Sequence, residues 1–272
     1  MPLCLGTNNI TKMYVGTNEV QKIYLGSIEI YTRQWTPSDV SPVGWYDAAD
    51  ASTITLNESN VSQWDDKSGN EHHVTQLSAS LQPELVLNAQ NNHPGLRFTT
   101  SKLENTSFLL TGRPWECHAV FKTNAWAGAP RAISFFDAGT DGGPGGWMVI
   151  LQSINGGITQ AFQTSHCNPV TAITLGQAYI QRSTVDSNAQ YWINGVYRGQ
   201  NVTANDLNTT DGIRIGNHLN QIYYQGDLYE IIITPLLSTT DRQKMEGYLA
   251  HKWGLTGGLP IDHLYKNSAP TI

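Results

Sequence analysis

Two pairs of carboxylates near the start of the chain are the first residues whose types and spacing could do chemistry. Asp47 and Asp50 form one pair, and Asp65 and Asp66 form the other. Hydrolysis of a glycosidic bond needs two carboxylates that flank the bond. Aspartate also favours turns and caps, and both pairs lie in short polar segments. Turn and capping roles are therefore the simpler interpretation.

A serine and two histidines follow, and they invite comparison with a catalytic triad. Ser68 lies in Lys-Ser-Gly, but the nucleophile-elbow pattern Gly-x-Ser-x-Gly does not occur in the sequence. His72 and His73 are adjacent, so on a strand they would point to opposite faces and could not line one site. The sequence predicts no catalytic residues and a protein that is not an enzyme.

A glycine-rich segment at 137–146 contains two further carboxylates, Asp137 and Asp141. Carboxylates four residues apart in such a loop could supply oxygen ligands to Ca²⁺, although the spacing is not that of a standard calcium loop. A plain turn is the alternative. Otherwise no cofactor is predicted. Because loops at the end of a β-domain commonly carry recognition, we expect this loop to contribute to sugar binding if the protein binds sugar.

Aromatic side chains could provide the apolar surface that sugar recognition uses. Trp126 lies in a segment of small residues without alternation, so it either contacts a ligand or folds back over the core. Tyr223 and Tyr224, beside His218 and Asn220, form a second candidate. The predicted carbohydrate-binding residues are Trp126, Asp137, Asp141, Tyr223 and Tyr224.

Composition and charge exclude several classes of function. A net charge of -6, with no cluster of Lys and Arg, gives no electrostatic reason to bind nucleic acid. No apolar run is long enough to span a bilayer, and the start lacks the features of a secretory signal. Cys4, Cys117 and Cys167 are too few for a disulfide framework, so we expect free buried thiols and synthesis in a reducing cytoplasm.

The elements that must position these residues are mostly strands. Tyr191 to Tyr197 contain the strongest hairpin signal, because Asn194 and Gly195 suit a turn that requires positive φ at both centres. Ser238 can cap a helix that ends at Gly254 and covers an edge or end of the sheets. Short β-rich stretches are predicted at 115–121, 132–136, 147–152, 158–162, 178–185, 189–193, 196–199, 213–215 and 227–234.

The first 31 residues repeat every ten. Leu5-Gly6-Thr7 recurs as Val15-Gly16-Thr17 and as Leu25-Gly26-Ser27. Each repeat predicts a small hairpin that cannot bury its apolar side chains alone. We expect residues 1–35 to form an anchoring and oligomerisation arm, with a trimer as the expected oligomer, although packing on its own domain is the alternative. The candidate contact residues are Tyr14, Val15, Tyr24, Leu25 and Ile30.

The proline-containing segment 36–42 is predicted to be a linker, and residues 43–272 a single domain. The domain resembles the concanavalin A-like, laminin-G-like jelly rolls of bacterial and bacteriophage surface proteins. The resemblance rests on five segments in the right order. They are Gly44–Asp50 with Val61–Asn70, Gln190–Gly195, Gly226–Ile233 and Glu246–Gly254. It implies an all-β fold, a two-sheet jelly-roll sandwich with one C-terminal helix.

The arm resembles those that fasten binding domains to phage particles, so the resemblance implies a virion protein of the tail fibre, tail tip or head-decoration type. Other virion proteins would be its partners through the arm, in a homo-oligomer. The leading expectation is weak binding of a host-surface carbohydrate, made avid by several copies. A ligand-free decorating or scaffolding subunit is the alternative. A glycan-degrading enzyme is a minor one, because no strand carries the Glu-x-Asp-x-x-Glu pattern of the family's hydrolases.

Overall fold

The fold is seen in a computed structural model of the chain. It describes residues 4–5, 8–9, 13–108, 110–111, 114–125, 131–136, 147–154, 157–162, 165–167, 170–186, 188–201, 209–210, 212–218 and 222–272. In these ranges the protein is mostly β, with one α-helix.

Small antiparallel hairpins form the start of the chain, as the ten-residue repeat predicts. Their strands are β1 (Cys4–Leu5), β2 (Asn8–Asn9), β3 (Tyr14–Val15), β4 (Asn18–Glu19), β5 (Lys22–Leu25) and β6 (Ile28–Thr32). They pair as β1 with β2, β3 with β4 and β5 with β6. Gly16 and Gly26 have φ of +65° and +64°, which is why the repeat carries glycine at both turns.

Twenty-two strands follow in the described ranges, and all but four of them build one large antiparallel system. They are β7 (Gly44–Asp47), β8 (Ile54–Asn57), β9 (Asn60–Trp64), β10 (Val74–Thr75), β11 (Glu84–Gln90), β12 (His93–Phe98), β13 (Leu103–Asn105), β14 (Leu110–Thr111), β15 (Trp115–Thr123), β16 (Arg131–Phe136), β17 (Trp147–Ile154), β18 (Gly157–Phe162), β19 (Ser165–His166), β20 (Thr171–Ala172), β21 (Ala178–Val185), β22 (Ala189–Ile193), β23 (Val196–Asn201), β24 (Thr209–Thr210), β25 (Gly212–Ile215), β26 (Asn217–His218), β27 (Ile222–Tyr223) and β28 (Gly226–Pro235). β14 with β24 and β26 with β27 form separate two-stranded pairs.

Strand pairing has two main runs. β28 pairs with β15 on one side and with β7 and β12 on the other, and β15 continues into β21, β22 and β23. The second run is β8, β9, β10, β13, β25, β16, β17 and β18. β11 pairs with both β12 and β9 and so joins the runs. The all-β prediction is confirmed as a continuous antiparallel system.

All nine predicted strand segments lie in observed strands, several extended by one or two residues. The hairpin prediction is also confirmed, since Asn194 and Gly195 have φ of +51° and +77°. The six strands between residues 54 and 105 were missing from the prediction. These strands are short and polar on the exposed side, so their alternation of apolar and polar residues is hardly clearer than that of the loops.

The helix α1 (Thr239–Lys252) is capped as predicted, because the Ser238 hydroxyl accepts a hydrogen bond from the Asp241 N–H at 3.1 Å. The helix covers a sheet face, however, and not an edge or end. Met245, Leu249 and Trp253 pack against apolar residues of β7, β15, β21 and β28. A second and larger apolar layer lies among the strands and includes Tyr46, Trp64, Phe98 and Phe121. Helix and strands therefore enclose two apolar layers that share the central strands.

The segment after the arm packs against the far end of the chain. The backbone of Gln34 pairs with that of Thr271, and the Trp35 N–H donates to the Pro270 carbonyl at 3.0 Å. Residues 37–40 form a short 3₁₀ helix. Trp35 is buried against Tyr248 of α1, with ring centroids 6.3 Å apart. The predicted boundaries at 35 and 42 stay predictions, but this stretch is well fixed to the domain.

Candidate functional site

A pocket of about 430 Å³ lies where the β22–β23 hairpin meets α1 and the tail after it. We call it the hairpin pocket. The side chains that matter for its chemistry are Tyr197, Arg242, Gln243, Glu246, Asp262 and His263. They come from three segments separated in the sequence, so the folded arrangement of hairpin, helix and tail creates the site.

An aromatic ring forms one side of the hairpin pocket. Tyr197 is 48% exposed, and its ring is edge-on to Trp192 with centroids 5.5 Å apart. The Arg182 guanidinium lies 4.1 Å from the Trp192 ring centroid and is held by Glu116, with Nη2 and Oε2 2.8 Å apart. Glu116 and Arg182 are both buried. These successive side-chain contacts fix the orientation of Tyr197 and leave part of its ring exposed to solvent.

A buried acid and histidine form the floor. The Glu246 and His263 side chains are nearly inaccessible, and Glu246 Oε2 lies 3.1 Å from His263 Nε2. The Tyr265 N–H donates to His263 Nδ1 at 3.2 Å. His263 Nε2 must therefore carry the proton that binds Glu246. Gly195 packs close above the pair, since a Cβ built there would lie 3.4 Å from Glu246 Oε2.

Three planar polar groups complete the hairpin pocket. Within the described ranges, the side chains of Arg242, Gln243 and Asp262 have neither a hydrogen-bond nor an ion-pair partner. The Arg242 Nε is buried all the same. Arg242 also lies in the first turns of α1, where a cation opposes the helix dipole. The pocket thus offers donors and acceptors to a ligand beside an aromatic ring.

Two other cavities of about 450 Å³ lie beside the segment 65–73. His72 lines one and His73 the other, which agrees with the prediction that adjacent histidines cannot share a site. His72 Nδ1 lies 2.9 Å from the Val43 carbonyl, and His73 Nδ1 accepts from the Asp66 N–H at 3.1 Å. Both histidines therefore help to hold this loop, and neither cavity has an exposed aromatic ring among its lining residues.

The carboxylates that opened the sequence analysis are structural. Asp66 accepts hydrogen bonds from the backbone N–H groups of Trp45, Ser68 and His72 at 2.8–3.1 Å. Asp50 caps a short 3₁₀ helix through the Ser52 N–H. The side-chain hydrogen bond from Lys67 is the main reason that the pKa of Asp50 falls to about 2. The predicted turn and capping roles are confirmed for these two residues.

Asp47 belongs to a buried ionic cluster with Glu230 of β28. Lys252 Nζ lies 2.7 Å from an Asp47 oxygen and 2.8 Å from a Glu230 oxygen. Burial raises the pKa of Asp47, but Lys252 and Lys67 outweigh it and hold the pKa below its usual value. Burial raises the pKa of Glu230 above its usual value despite Lys252. The cluster joins helix to sheet and opens onto no cavity described above.

Of the residues predicted to bind carbohydrate, the structure describes Tyr223 and Tyr224. Trp126, Asp137 and Asp141 lie outside the described residues. Tyr223 is partly buried in β27. Tyr224 is fully buried, with its hydroxyl 3.1 Å from Thr123 Oγ1, and burial raises the pKa of its phenol. The Tyr224 ring is therefore part of the core and is not available to a ligand at the surface.

In the arm, four of the five predicted contact residues are strongly exposed, namely Tyr14, Val15, Tyr24 and Leu25. Ile30 is partly buried. Cys117 and Cys167 are free and buried, as expected. The described residues contain no group of three or more His, Cys, Asp and Glu placed to hold a metal ion. In the same ranges, no helix has the length and apolar character to cross a membrane.

Sequence reasoning missed the hairpin pocket, although it identified the hairpin, the helix and the tail. The missing information was their contact in space. Gly258 and Gly195 give the one local hint, because both lie where a Cβ would approach the other segment. Glycine has several reasons to occur in turns, so that hint could not have been interpreted without the structure.

No protein-family model and no curated protein matches the chain. Solved structures do. Domain 4 of AbnA, a GH43 extracellular arabinanase from Geobacillus stearothermophilus in complex with arabinotriose, has a TM-score of 0.57 at 12% identity and covers 75% of this chain and 96% of that one. A GH54 α-L-arabinofuranosidase has a TM-score of 0.58 at 12% sequence identity, and the match covers 78% of this chain and 64% of the arabinofuranosidase. A Trypanosoma rangeli sialidase in complex with sialic acid has a TM-score of 0.55 at 12% sequence identity, and the match covers 86% of this chain and 36% of the sialidase.

At this identity the likeness establishes the β-rich fold alone. The chain spans less than two thirds of the arabinofuranosidase and about a third of the sialidase. The comparison nevertheless corrects one prediction. We had excluded an enzyme because the expected carboxylate pattern is missing from the strands, but the similar structures come from an arabinanase, arabinofuranosidases and a sialidase. The exclusion is wrong, because this fold occurs in glycosidases.

Proposed function

We propose that the chain is a carbohydrate-binding domain and that the hairpin pocket is its sugar site. The observation that carries the proposal is the half-exposed Tyr197 ring beside the unpaired Arg242, Gln243 and Asp262. A sugar has an apolar ring face that packs on an aromatic side chain. Its hydroxyls both donate and accept hydrogen bonds, so they suit a guanidinium, an amide and a carboxylate together.

The similar structures support a glycan ligand in general. They include arabinotriose in complex with the arabinanase domain, an arabinofuranosyl-xylobiose with an arabinofuranosidase, and sialic acid with the sialidase. These ligands differ in ring size and charge, so the comparison favours no single sugar. The geometry of the hairpin pocket is the stronger support, because it belongs to this chain.

The setting proposed for this activity is the one that the sequence predicts. We propose a phage virion protein in which the strands of residues 43–272 form a two-sheet jelly roll that displays the sugar site. Residues 1–35 would be the arm and 36–42 the linker. The repeat and the family resemblance support this setting. A decorating subunit without a ligand remains the alternative, and Ca²⁺ at Asp137 and Asp141 stays a prediction.

The test is binding of the full chain to a panel of immobilised neutral and acidic oligosaccharides, followed by calorimetric titration of the best one. Tyr197→Ala removes the ring face, and we expect about a tenfold loss of affinity, equivalent to about 1.4 kcal/mol. Tyr24→Ala is the matched control, because Tyr24 is similarly exposed but lies in the arm. Absence of binding to every oligosaccharide, or an equal loss in both variants, would refute the proposal.

Glycoside hydrolysis is a second candidate, because two carboxylates line the hairpin pocket. Glu246 is buried and Asp262 is exposed. In glycosidases the two catalytic carboxylates also have different surroundings, since one acts as the acid and the other as the base or nucleophile. Incubation of the panel with the protein, followed by measurement of new reducing ends, tests this. Activity lost in both Glu246→Gln and Asp262→Asn would support hydrolysis. Unchanged oligosaccharides would leave binding as the activity.

A further inference from the structure

The hairpin pocket is bordered by exposed apolar side chains. Of the fourteen large apolar side chains that are exposed in the described ranges, four lie at positions 196, 197, 261 and 264. Val196 and Tyr197 line the pocket, and so does Pro260. Ile261 and Leu264 are 88% and 67% exposed, and each adjoins a lining residue in the sequence. Single exposed apolar residues need no explanation, but such a cluster marks a contact surface.

The floor of the hairpin pocket presents a carboxylate oxygen without a donor. Glu246 is 3% exposed, and its Oε2 is bound by His263. Its other oxygen, Oε1, accepts no hydrogen bond from any residue that the structure describes. A buried acceptor without a donor costs free energy. Because Glu246 lines the pocket, the floor favours a ligand that carries an N–H or O–H group at this point.

Hydrogen-bond donors lie one helical turn before this acceptor. Arg242 and Gln243 precede Glu246 by four and three residues in α1, so the three side chains share one face of the helix. All three line the hairpin pocket. The Arg242 Nε is buried and has no partner among the described residues. A guanidinium and an amide therefore stand beside a carboxylate oxygen, and the pocket pairs donors with an acceptor.

We propose that the sugar bound in the hairpin pocket is an N-acylated amino sugar, such as an N-acetylhexosamine. This inference rests on the proposed function and names the class of sugar. The carbonyl oxygen of the acyl group accepts from Arg242 or Gln243, and its N–H donates to Glu246 Oε1. Its methyl group packs on Val196 and Pro260. The exposed aromatic ring of the pocket is left for the face of the sugar.

Other substituents satisfy fewer of these groups. A hydroxyl donates to Glu246 Oε1 but has no apolar atoms for Val196. An ammonium also suits Glu246, but it brings a second cation close to Arg242 and offers it no acceptor. A carboxylate pairs with Arg242 and meets the like charge of Glu246. An O-acetyl ester has no donor. Among these groups, the acylated amine alone provides donor, acceptor and apolar surface together.

The test compares sugars that differ in a single substituent. Glucose, galactose and mannose are each presented on the same carrier with an acetamido, ammonium or hydroxyl group at C2, and each is titrated with the full chain. In the configuration that binds, we expect the acetamido form to bind about tenfold more tightly than the other two, equivalent to about 1.4 kcal/mol. Equal or tighter binding of the hydroxyl or ammonium form would overturn the inference.

The same measurements separate this inference from the proposed function. Other oligosaccharides that bind through Tyr197, while no acetamido sugar binds, would overturn the sugar class and leave the carbohydrate site standing. No binding of any sugar would refute both. Binding of an acetamido sugar that Tyr197→Ala leaves unchanged would place the sugar elsewhere and would also refute both.

Two substitutions test the assigned contacts. Val196→Thr replaces a lining methyl group by a hydroxyl, and Glu246→Gln puts an N–H₂ group where the acetamido N–H needs an acceptor. Each should lower the ratio of the acetamido affinity to the hydroxyl affinity about fivefold. Leu175→Thr is the matched control, because Leu175 is 41% exposed against 37% for Val196 but does not line the pocket.

The ratio is measured within one protein, so a smaller folded fraction lowers both affinities and leaves their ratio unchanged. A ratio that stays at the wild-type value in both pocket variants would overturn the inference, and so would an equal fall in the Leu175→Thr control.

Discussion

Lys252 is the residue on which two buried carboxylates depend. Its ammonium lies between Asp47 and Glu230, and Glu230 also accepts hydrogen bonds from the indole N–H groups of Trp45 and Trp253. Glu230 is fully buried, so its charge has no access to water. A buried charge is tolerated only when it is paired and its oxygens are satisfied. Lys252 thus fixes α1 to the sheet.

We therefore predict that Lys252→Met lowers the free energy of unfolding by about 3–5 kcal/mol, because it leaves the buried Glu230 carboxylate without its cation and Asp47 with Lys67 alone. Urea unfolding followed by tryptophan fluorescence measures it. Lys22→Met is the matched control, since Lys22 forms an exposed ion pair with Glu29 and its removal should leave the free energy of unfolding nearly unchanged. Equal effects in the two variants would contradict this account of the cluster.

At the residue scale, the sequence predicted roles that follow from local chemistry. The capping role of Asp50 was predicted correctly, because an aspartate before a turn has few alternatives. The charge cluster was not predicted. Asp47 and Lys252 are separated by 205 positions, and their contact depends on how the strands order themselves.

At the scale of elements, the β22–β23 hairpin links local sequence to the candidate site. Its Asn-Gly turn has the positive φ values that set the register of the two strands. The register places Tyr197 directly opposite Trp192. The same turn brings Gly195 against Glu246 and Pro260. One two-residue turn therefore determines both the aromatic side and the floor of the hairpin pocket.

We predict that Gly195→Ala weakens sugar binding, because its Cβ would lie 3.3 Å from Pro260 and 3.4 Å from Glu246 Oε2. Gly176→Ala is the matched control. Its φ is also +77°, but a Cβ there meets nothing within 4 Å. Both variants should lose about 1–2 kcal/mol of stability from backbone strain. Only Gly195→Ala should also lose affinity for the sugar in calorimetric titration. Equal affinities in the two variants would show that this turn does not shape the sugar site.

Sequence patterns predicted the elements better than their partners. Nine strand segments and the helix were found because apolar alternation and capping are local signals. The order of the strands depends on which apolar faces meet, and many orders satisfy the same alternation. The hairpin pocket required knowing that this hairpin, α1 and the tail are neighbours. No local pattern encodes that contact, so none of the described residues predicted to bind sugar lines the hairpin pocket.

At the scale of the whole molecule, the arm, the helix and the end of the chain meet around Trp35. The ring of Trp35 packs on Tyr248 of α1, and the backbone of residues 33–35 pairs with residues 270–272. The apolar layer under α1 includes Trp35 itself and reaches the central strands. The base of the arm is thus part of the domain's own core. Displacement of the arm should therefore disturb the packing of α1.

We accordingly predict that Trp35→Ala lowers the free energy of unfolding by about 3 kcal/mol, since it removes a buried indole from a packed layer. It should also speed hydrogen exchange of the backbone at 33–35, because the ring holds that segment against α1. Tyr14→Ala is the control, as Tyr14 is exposed in the arm and should leave monomer stability unchanged. If Trp35→Ala left both stability and exchange unchanged, the arm would be attached by backbone pairing alone. Faster exchange at 33–35 without loss of stability would show that the arm's base opens independently of the domain.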